Sequence, residues 1–180
     1  MDIAETDFVR THDKTDIACL IEAHSTALYR FCRSMTYSKE EAEDLFQETW
    51  ISALQKPEKL QAAESPLSFL CRIALYLWKS RQRKYARRKR LAPEISVDLA
   101  MDSGQNVEGD VLRQVEKEFV QSLVGDLPER YRIPLILFYN AEMSITEIAK
   151  TLGLPAGTVK SRLFCARQEI KKGWQKYENT

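Results

Sequence analysis

The side chains best suited to chemistry are cations interleaved with aromatic rings between positions 65 and 93. This stretch holds nine Lys or Arg and no acidic residue. One set recurs every three or four residues, as on a single helical stripe: Arg72, Tyr76, Lys79 and Arg83. Trp78 and Tyr85 lie nearby. Cations neutralise phosphates while rings stack on bases, which is what single-stranded nucleic acid requires. The alternative is a basic surface helix with buried aromatics.

A second candidate surface lies on the last predicted helix, which follows Gly153-Leu-Pro155. At about 100° per residue, one direction collects apolar positions that must face a core, namely Val159, Leu163, Ala166 and Ile170. The opposite direction holds Ser161, Phe164, Cys165 and Gln168, and the flanks hold Lys160, Arg162, Arg167 and Lys171. An exposed Phe between cations suits the major groove of DNA, where it contacts thymine methyl groups and cations hold phosphates. For the cations alone, a solvated face is the alternative.

The residues before this helix have helix-turn-helix spacing. Ala149, Gly153 and Val159 stand at offsets of 0, +4 and +10. A small Ala lets two helices cross closely, Gly takes the left-handed turn, and Val anchors the second helix. An ordinary helical hairpin is the alternative.

A third surface is acidic. Residues 40–48 carry five acidic groups and no base, with Asp44, Gln47 and Glu48 facing away from Leu45 and Phe46. Acidic groups repel DNA, so this face is suited to a basic protein surface. A solvated helix face is the default alternative.

Helical periodicity supplies the elements that must position these surfaces. The pattern predicts a helix from Ile17, a second opened by a capping box at Ser38 and ended by Lys56-Pro57, and a third from Ser65-Pro66. The second helix has the predicted core residues Ala42, Leu45, Phe46, Thr49 and Ala53; the third has Phe69, Leu70, Ile73 and Leu77.

The C-terminal half shows the same helical periodicity and capping signals. Apolar spacing predicts a helix over 111–123, another from Leu127-Pro128 through Tyr139, a short one opened by a capping box at Ser144, and a last one to about Tyr177. The acidic stretch between the halves has weak periodicity. We therefore predict an all-α chain with two small helical domains, 15–91 and 111–177, joined by a flexible linker at 92–110.

Composition excludes several functions. The chain has 180 residues, 27 Lys plus Arg against 26 Asp plus Glu, and only six Gly and six Pro. No segment approaches the ~20 apolar residues of a membrane span, and no secretory signal is present. The four cysteines have no paired spacing, which indicates reduced thiols in a cytoplasmic protein. No catalytic, metal-ligand or cofactor motif is present, so we expect no enzyme, metal or cofactor.

Three stretches, in this order, resemble extracytoplasmic-function sigma factors, the small two-domain members of the sigma-70 family. They are EEAEDLFQETW at 40–50, FLCRIALYLWKSRQRK at 69–84 and the long run at 127–170 that contains GTVKSRL. The resemblance implies that the first domain is sigma region 2 and the second is the region 4 helix-turn-helix. It also implies that the chain directs promoter recognition, DNA melting and transcription initiation by RNA polymerase, without catalysis of its own.

The resemblance also implies a role for each surface. The residues that would bind the β′ clamp helices of core RNA polymerase are Asp44, Leu45, Phe46, Gln47 and Glu48. Those that would recognise and melt the −10 promoter element are Arg72, Tyr76, Lys79 and Arg83. Region 4 would touch the β flap and read the −35 element through Thr158, Lys160, Ser161, Arg162, Phe164, Cys165, Arg167 and Gln168. An anti-sigma protein is a further partner of this family.

Two positions depart from the family pattern. Tyr76 stands where Asn is common, and Cys165 where Arg is common, so base preferences do not carry over directly. We expect Tyr76 to stack on a base. The alternative function is a helix-turn-helix regulator that dimerises through its first domain and acts without polymerase. Only the sigma-factor interpretation gives the acidic Asp44–Glu48 face a function.

Overall fold

The computed structural model describes residues 4–91 and 111–178, and the predicted linker at 92–110 lies outside the described residues. Within those two ranges the chain forms eight helices and no strand. It divides into two compact units, 1–99 and 100–180. The all-α prediction is therefore confirmed.

The helices follow one another closely in each unit. Unit 1 contains α1 (Ala4–Met35), α2 (Lys39–Leu54), α3 (Pro57–Gln61) and α4 (Pro66–Leu91), and unit 2 contains α5 (Val111–Asp126), α6 (Glu129–Tyr139), α7 (Ile145–Leu152) and α8 (Ala156–Glu178). Helix α1 begins well before Ile17, because the preceding residues contain no Gly or Pro to stop it even though their apolar periodicity is weak. Helix α3 was not predicted. It begins with Pro57 at its first position, where the missing N–H costs nothing, and it buries Leu60.

In unit 1, α1, α2 and α4 pack against one another around an apolar core. The largest fully buried side chains include Leu28 and Phe31 of α1, Leu45 of α2 and Leu70 of α4. The buried hydroxyl of Thr49 donates to the Leu45 carbonyl oxygen at 2.7 Å, so burial leaves it satisfied.

The predicted core face of α4 is rotated in the structure, and that of α2 is confirmed except at one position. In α4 the half-buried side chains are Phe69, Ile73 and Leu77, whereas Cys71, Ala74, Leu75 and Trp78 are buried with Leu70. In α2 the predicted core residues Ala42, Leu45, Thr49 and Ala53 are buried together with Trp50. Phe46 is only half-buried and makes edge-to-face contacts with Tyr29 and Trp50. Small residues at close helix contacts are as buried as large ones, which apolar periodicity underweights.

The capping boxes behave differently in the two units. At Ser144 both reciprocal bonds form: the Ser144 hydroxyl accepts from the Glu147 N–H at 3.2 Å, and the Glu147 carboxylate accepts from the Ser144 N–H at 2.9 Å. At Ser38 only the first bond forms, because the Glu41 carboxylate accepts instead from the N–H of Tyr37 at 3.2 Å.

In unit 2, α8 is the element on which the others assemble, since α5, α6 and α7 all pack against it. The predicted inward residues Val159, Leu163 and Ala166 are buried, and Ile170 is half-buried. Pro134 is accommodated inside α6. Further along α8, Gly173 permits close approach of α5, because a Cβ there would lie 2.5 Å from Leu123 Cδ2.

Candidate nucleic-acid and partner surfaces

The basic stripe predicted on the third helix exists on α4. Its four members, Arg72, Tyr76, Lys79 and Arg83, are all exposed, and Tyr76 retains 68% of its surface. Trp78 does not belong to this surface, since it is 5% exposed and packs in the core, whereas Tyr85 is 42% exposed. One aromatic ring, Tyr76, therefore remains on the stripe among cations.

Helix α4 continues past the body of unit 1. Its last buried residue is Trp78, residues 80–82 are half-buried, and every described side chain from Arg83 onward is exposed. The stripe continues along this free segment through Arg87 and Arg90, which sequence reasoning did not single out. Their positions four and seven residues after Arg83 were the available signal.

The acidic face lies on α2. Asp44, Gln47 and Glu48 are exposed, as their predicted orientation requires. Leu45 is fully buried, so its side chain faces the core of unit 1 in this structure. Phe46 is half-buried.

Two apolar side chains extend the acidic face. Ile51 is 59% exposed and Leu54 38% exposed, and they lie on the exposed side of α2 beyond Glu48. Sequence reasoning missed both. Ile51 stands four residues after Gln47 and seven after Asp44, which is the spacing that would have placed it on that side. Exposed apolar groups beside charged ones are typical of a protein-binding surface.

An ion pair joins the acidic face to α4. The Arg81 Nη2 atom lies 3.0 Å from Glu48 Oε2, and both side chains are partly exposed. Arg81 also lies near the buried thiol of Cys32 in α1, where its positive charge partly offsets the effect of burial on that pKa. Arg81 is therefore half-buried and directed toward α1 and α2, off the exposed stripe.

The helix-turn-helix has the geometry its spacing predicts. Gly153 closes α7 in the left-handed conformation, with φ 64° and ψ 40°, and its N–H donates to the carbonyl of Ala149. A side chain is disfavoured in that conformation, so glycine suits this turn. Val159 is fully buried, and Ala149 is 9% exposed. The helix-turn-helix prediction is confirmed over an ordinary hairpin.

The outward side of α8 presents one aromatic ring among polar groups. Phe164 is 62% exposed, and Lys160, Ser161, Arg167 and Gln168 are exposed around it; Thr158, Arg162 and Cys165 are half-buried. The Ser161 hydroxyl donates to the Gly157 carbonyl at 3.0 Å, which leaves its oxygen able to accept. The guanidinium carbon of Arg167 lies 5.7 Å from the centre of the Phe138 ring, so a cation–π contact orients it.

The described residues contain no cluster of His, Cys, Asp and Glu able to hold a metal ion. None of the helices in the described ranges is long and apolar enough to cross a membrane. The cysteines are free thiols; Cys32 and Cys71 are buried, Cys19 is exposed and Cys165 is half-buried.

Comparison with known families agrees with the division of the chain into two units. The sequence matches the Sigma-70 region 2 family over residues 20–88 and the Sigma-70 region 4 family over residues 120–170. The first match contains the acidic face and most of the α4 stripe. The second contains the helix-turn-helix.

Solved structures share the fold. The sigma factor RpoE of Bartonella quintana, in complex with the anti-sigma factor NepR, matches with a TM-score of 0.77 and 22% identity over 89% of this chain and 97% of that chain. CnrH, in complex with the cytosolic domain of CnrY, matches with a TM-score of 0.62 and 23% identity over 86% of this chain and 84% of that chain.

Characterised relatives match along most of their length. The ECF RNA polymerase sigma factor SigM of Bacillus subtilis is 31% identical over 154 residues, which cover 84% of this chain and 91% of SigM. SigW of the same organism, also an ECF RNA polymerase sigma factor, is 29% identical over 171 residues, covering 91% of each chain. The chain therefore belongs to the extracytoplasmic-function sigma factors of the sigma-70 family.

Proposed function

We propose that the chain binds core RNA polymerase and directs it to promoters, with unit 1 serving the −10 element and unit 2 the −35 element. The main support is the presence on one chain, in the family order, of an acidic face on α2, a basic aromatic stripe on α4 and a helix-turn-helix. A regulator that acts without polymerase would have no use for the acidic face.

The polymerase contact is assigned to the exposed side of α2. Asp44, Gln47 and Glu48 offer acidic and amide groups to the β′ clamp helices, and complementary charge speeds and orients such an encounter. Ile51 and Leu54 add apolar area beside them. Leu45 and Phe46 act behind this surface by holding α2 in the bundle.

The −10 contact is assigned to the α4 stripe. The ring of Tyr76 is available to stack on an unpaired base, and Arg72, Lys79 and Arg83 are placed to neutralise the backbone on both sides of it. Base–aromatic stacking is worth about 1–3 kcal/mol per base, which helps to offset the free energy of melting.

The −35 contact is assigned to the outward side of α8. Phe164 contacts thymine methyl groups, Ser161, Cys165 and Gln168 face base edges, and Thr158 with the flanking cations Lys160, Arg162 and Arg167 holds the phosphates. The β flap of the polymerase is a further partner of unit 2. We also propose that an anti-sigma protein controls the free chain.

We place the functional domains at 15–91 and 111–177, joined by 92–110. The chain acts in the cytoplasm, where its polymerase resides, and it contributes no catalysis, because the polymerase carries the active site. No cofactor or metal is required by any of these contacts.

Reconstitution with core RNA polymerase tests this function. The full chain and core enzyme are mixed with a DNA library randomised in the −35 and −10 elements, and transcripts are sequenced. We expect a stable complex and transcripts that begin at a fixed distance from a selected pair of elements. Absence of a complex, or a complex that starts no transcripts, would contradict the proposal and favour the polymerase-independent regulator.

A matched pair of variants locates the polymerase contact. Asp44→Asn with Glu48→Gln removes two charges from the exposed side of α2, whereas Glu22→Gln with Glu58→Gln removes two exposed charges from elsewhere in unit 1. The first pair should weaken core binding at least tenfold and the second should leave it within twofold. Equal effects would place the contact elsewhere.

A further inference from the structure

The exposed side of α2 and the exposed stripe of α4 carry opposite charges. Asp44 and Glu48 lie on α2, whereas Lys79 and Arg83 lie on α4, and all four side chains are exposed. Complementary charge of this kind accelerates and orients the association of two protein surfaces. One chain therefore carries both halves of a complementary pair of surfaces.

Each of these surfaces also carries an exposed apolar group. Ile51 of α2 is 59% exposed, and Tyr76 of α4 is 68% exposed. Leu54, which is 38% exposed, adds apolar area next to Ile51. Tyrosine is enriched among the residues that anchor protein–protein interfaces, and apolar groups that meet there are removed from water. The two surfaces are therefore complementary in apolar area as well as in charge.

The spacing of these groups is the same on the two helices when one helix is reversed. Toward the C-terminus of α4, cations follow Tyr76 after three and seven positions. Toward the N-terminus of α2, acidic residues precede Ile51 by three and seven positions. At 1.5 Å per residue, both rows therefore place their charges about 4.5 and 10.5 Å from the apolar group. The pairs that an antiparallel contact brings together are Tyr76 with Ile51, Lys79 with Glu48, and Arg83 with Asp44.

The two rows do not cover each other within one copy. Helices α2 and α4 pack against each other in unit 1, and the residues of both rows stay exposed in that packing. The matched spacing nevertheless extends by one more turn, since Arg87 follows Arg83 by four positions and Glu40 precedes Asp44 by four, and both outer residues are exposed. The complementary surface that fits each row is therefore found on a second copy of the chain.

The two surfaces lie next to each other on unit 1. Glu48 of α2 is 3.0 Å from Arg81 of α4, and Arg81 stands between Lys79 and Arg83 in the sequence. A second copy related by a twofold axis can therefore place its α4 on α2 and its α2 on α4 at the same time. Such an isologous contact uses each pairing twice and closes as a dimer.

We propose that the free chain forms a reciprocal dimer through unit 1, in which the exposed side of α2 in each copy covers the α4 stripe of the other. The dimer hides the surfaces assigned to polymerase and to the −10 element, so it is an inactive form that core polymerase dissociates. This competition rests on the proposed function, whereas the self-association does not. Because the paired charges are exposed, salt should weaken the dimer.

Sedimentation velocity of the full chain, without polymerase or DNA, tests the association. The chain is run over about a hundredfold range of concentration, at about 50 and 500 mM salt. We expect a monomer–dimer equilibrium whose dissociation constant rises at least about tenfold between the two salt concentrations. A chain that stays monomeric throughout, or one that forms assemblies larger than dimers, would overturn the proposal.

Charge reversal at one predicted pair tests the register. Asp44→Lys and Arg83→Glu each bring like charges together at both contacts of a homodimer, so each variant alone should dimerise at least about tenfold more weakly than wild type. An equimolar mixture should form heterodimers about as tightly as wild type, because both contacts again join opposite charges. A mixture that stays monomeric would overturn the proposal. Circular dichroism checks that both variants are folded.

Matched controls carry the same changes in charge outside the two rows. Glu22→Lys changes an exposed residue of α1, and Lys84→Glu changes an exposed residue of α4 beside the stripe. Each control should dimerise within about threefold of wild type, since exposed charges away from a contact have small effects. Equal weakening by the controls and the row variants would assign the effect to net charge and overturn the proposal.

Addition of core polymerase tests whether the dimer hides the polymerase surface. Dimers formed from chains that carry a donor or an acceptor fluorophore should lose energy transfer as core enzyme binds. Energy transfer that persists in the core-bound chain would overturn the proposal. Failure of the wild-type chain to bind core would instead reject the proposed function, and the sedimentation result would still stand, because it is measured without polymerase.

Discussion

The Arg81 guanidinium lies 3.0 Å from the Glu48 carboxylate and joins the helix assigned to DNA to the face assigned to polymerase. The two residues are far apart in sequence, on α4 and α2. Because both are partly exposed, the pair contributes only about 0.2–1 kcal/mol to folding. The ion pair matters more for binding, because it determines whether the Glu48 carboxylate is paired with Arg81 or is available to the polymerase.

We expect Arg81 and the polymerase to compete for Glu48. Arg81→Gln frees the carboxylate, so core binding should tighten by up to about fivefold, which corresponds to the ~1 kcal/mol upper limit of such a pair. Glu48→Gln should weaken core binding, and adding Arg81→Gln to it should change nothing further. Titration of labelled chain with core enzyme measures all four combinations. Weaker binding by the single Arg81→Gln variant would show that Arg81 only positions Glu48.

Tyr76 is expected to act through its ring. Tyr76→Phe keeps the stacking surface and should open promoters almost as well as wild type, whereas Tyr76→Ala should reduce opening by about 5- to 150-fold, from a loss of about 1–3 kcal/mol. Permanganate reactivity of unpaired thymines in the complex reports opening. Equal losses for the two variants would contradict stacking and point to the hydroxyl. Tyr76 is largely exposed, so neither change should alter the unfolding transition.

The turn of the helix-turn-helix should tolerate few side chains at Gly153. Gly153→Ala places a Cβ on a residue with φ 64° and should destabilise the chain by about 1 kcal/mol. Gly153→Asn should cost less, because Asn enters the left-handed region more readily. Gly157→Ala is the matched control, since a Cβ at Gly157 meets nothing within 4 Å. Urea unfolding followed by circular dichroism measures each. Equal stability of the two alanine variants would contradict the role of the turn.

The four thiols should divide into two classes of reactivity. Burial raises the pKa of Cys32 to about 12, and burial, together with nearby Cys32, raises the pKa of Cys71 well above its ordinary value. The thiolate is the reactive form, so both should stay unlabelled by maleimide at pH 8 until the chain unfolds, while Cys19 and Cys165 react. Promoter DNA should protect Cys165 and leave Cys19 unprotected. Protection of neither thiol would count against Cys165 facing the groove.

Local features of the fold were predictable from sequence. The Ser144 cap, the left-handed Gly153 and the buried Val159 each depend on neighbours within ten positions, and each was predicted correctly. Helix α3 was not predicted, because Pro57 was interpreted only as the end of α2 and not also as the first residue of a new helix. The buried face of α4 was misplaced because Cys71 and Ala74 are small, and their burial depends on how closely α1 and α2 approach.

The candidate surfaces also include some features that were predictable from sequence and others that depend on packing between helices. Exposure of Tyr76 and Phe164 followed from helical spacing alone. The pairing of Glu48 with Arg81 did not, because it depends on the packing of α2 against α4. Ile51 and Leu54 were missed for a related reason: apolar residues are expected inside, and only the folded bundle shows that these two remain outside.

Helix α4 has a half that packs in the core and a half that is exposed, and substitutions in the two halves are expected to affect different properties. Leu70, Cys71 and Trp78 fix the direction of the helix, whereas Arg87 and Arg90 contribute nothing to the packed core. Substitutions in the free half should therefore leave the unfolding temperature almost unchanged. A variant library screened for stability or expression would register no penalty there. The same library screened for transcription at increasing salt would show where the free half matters.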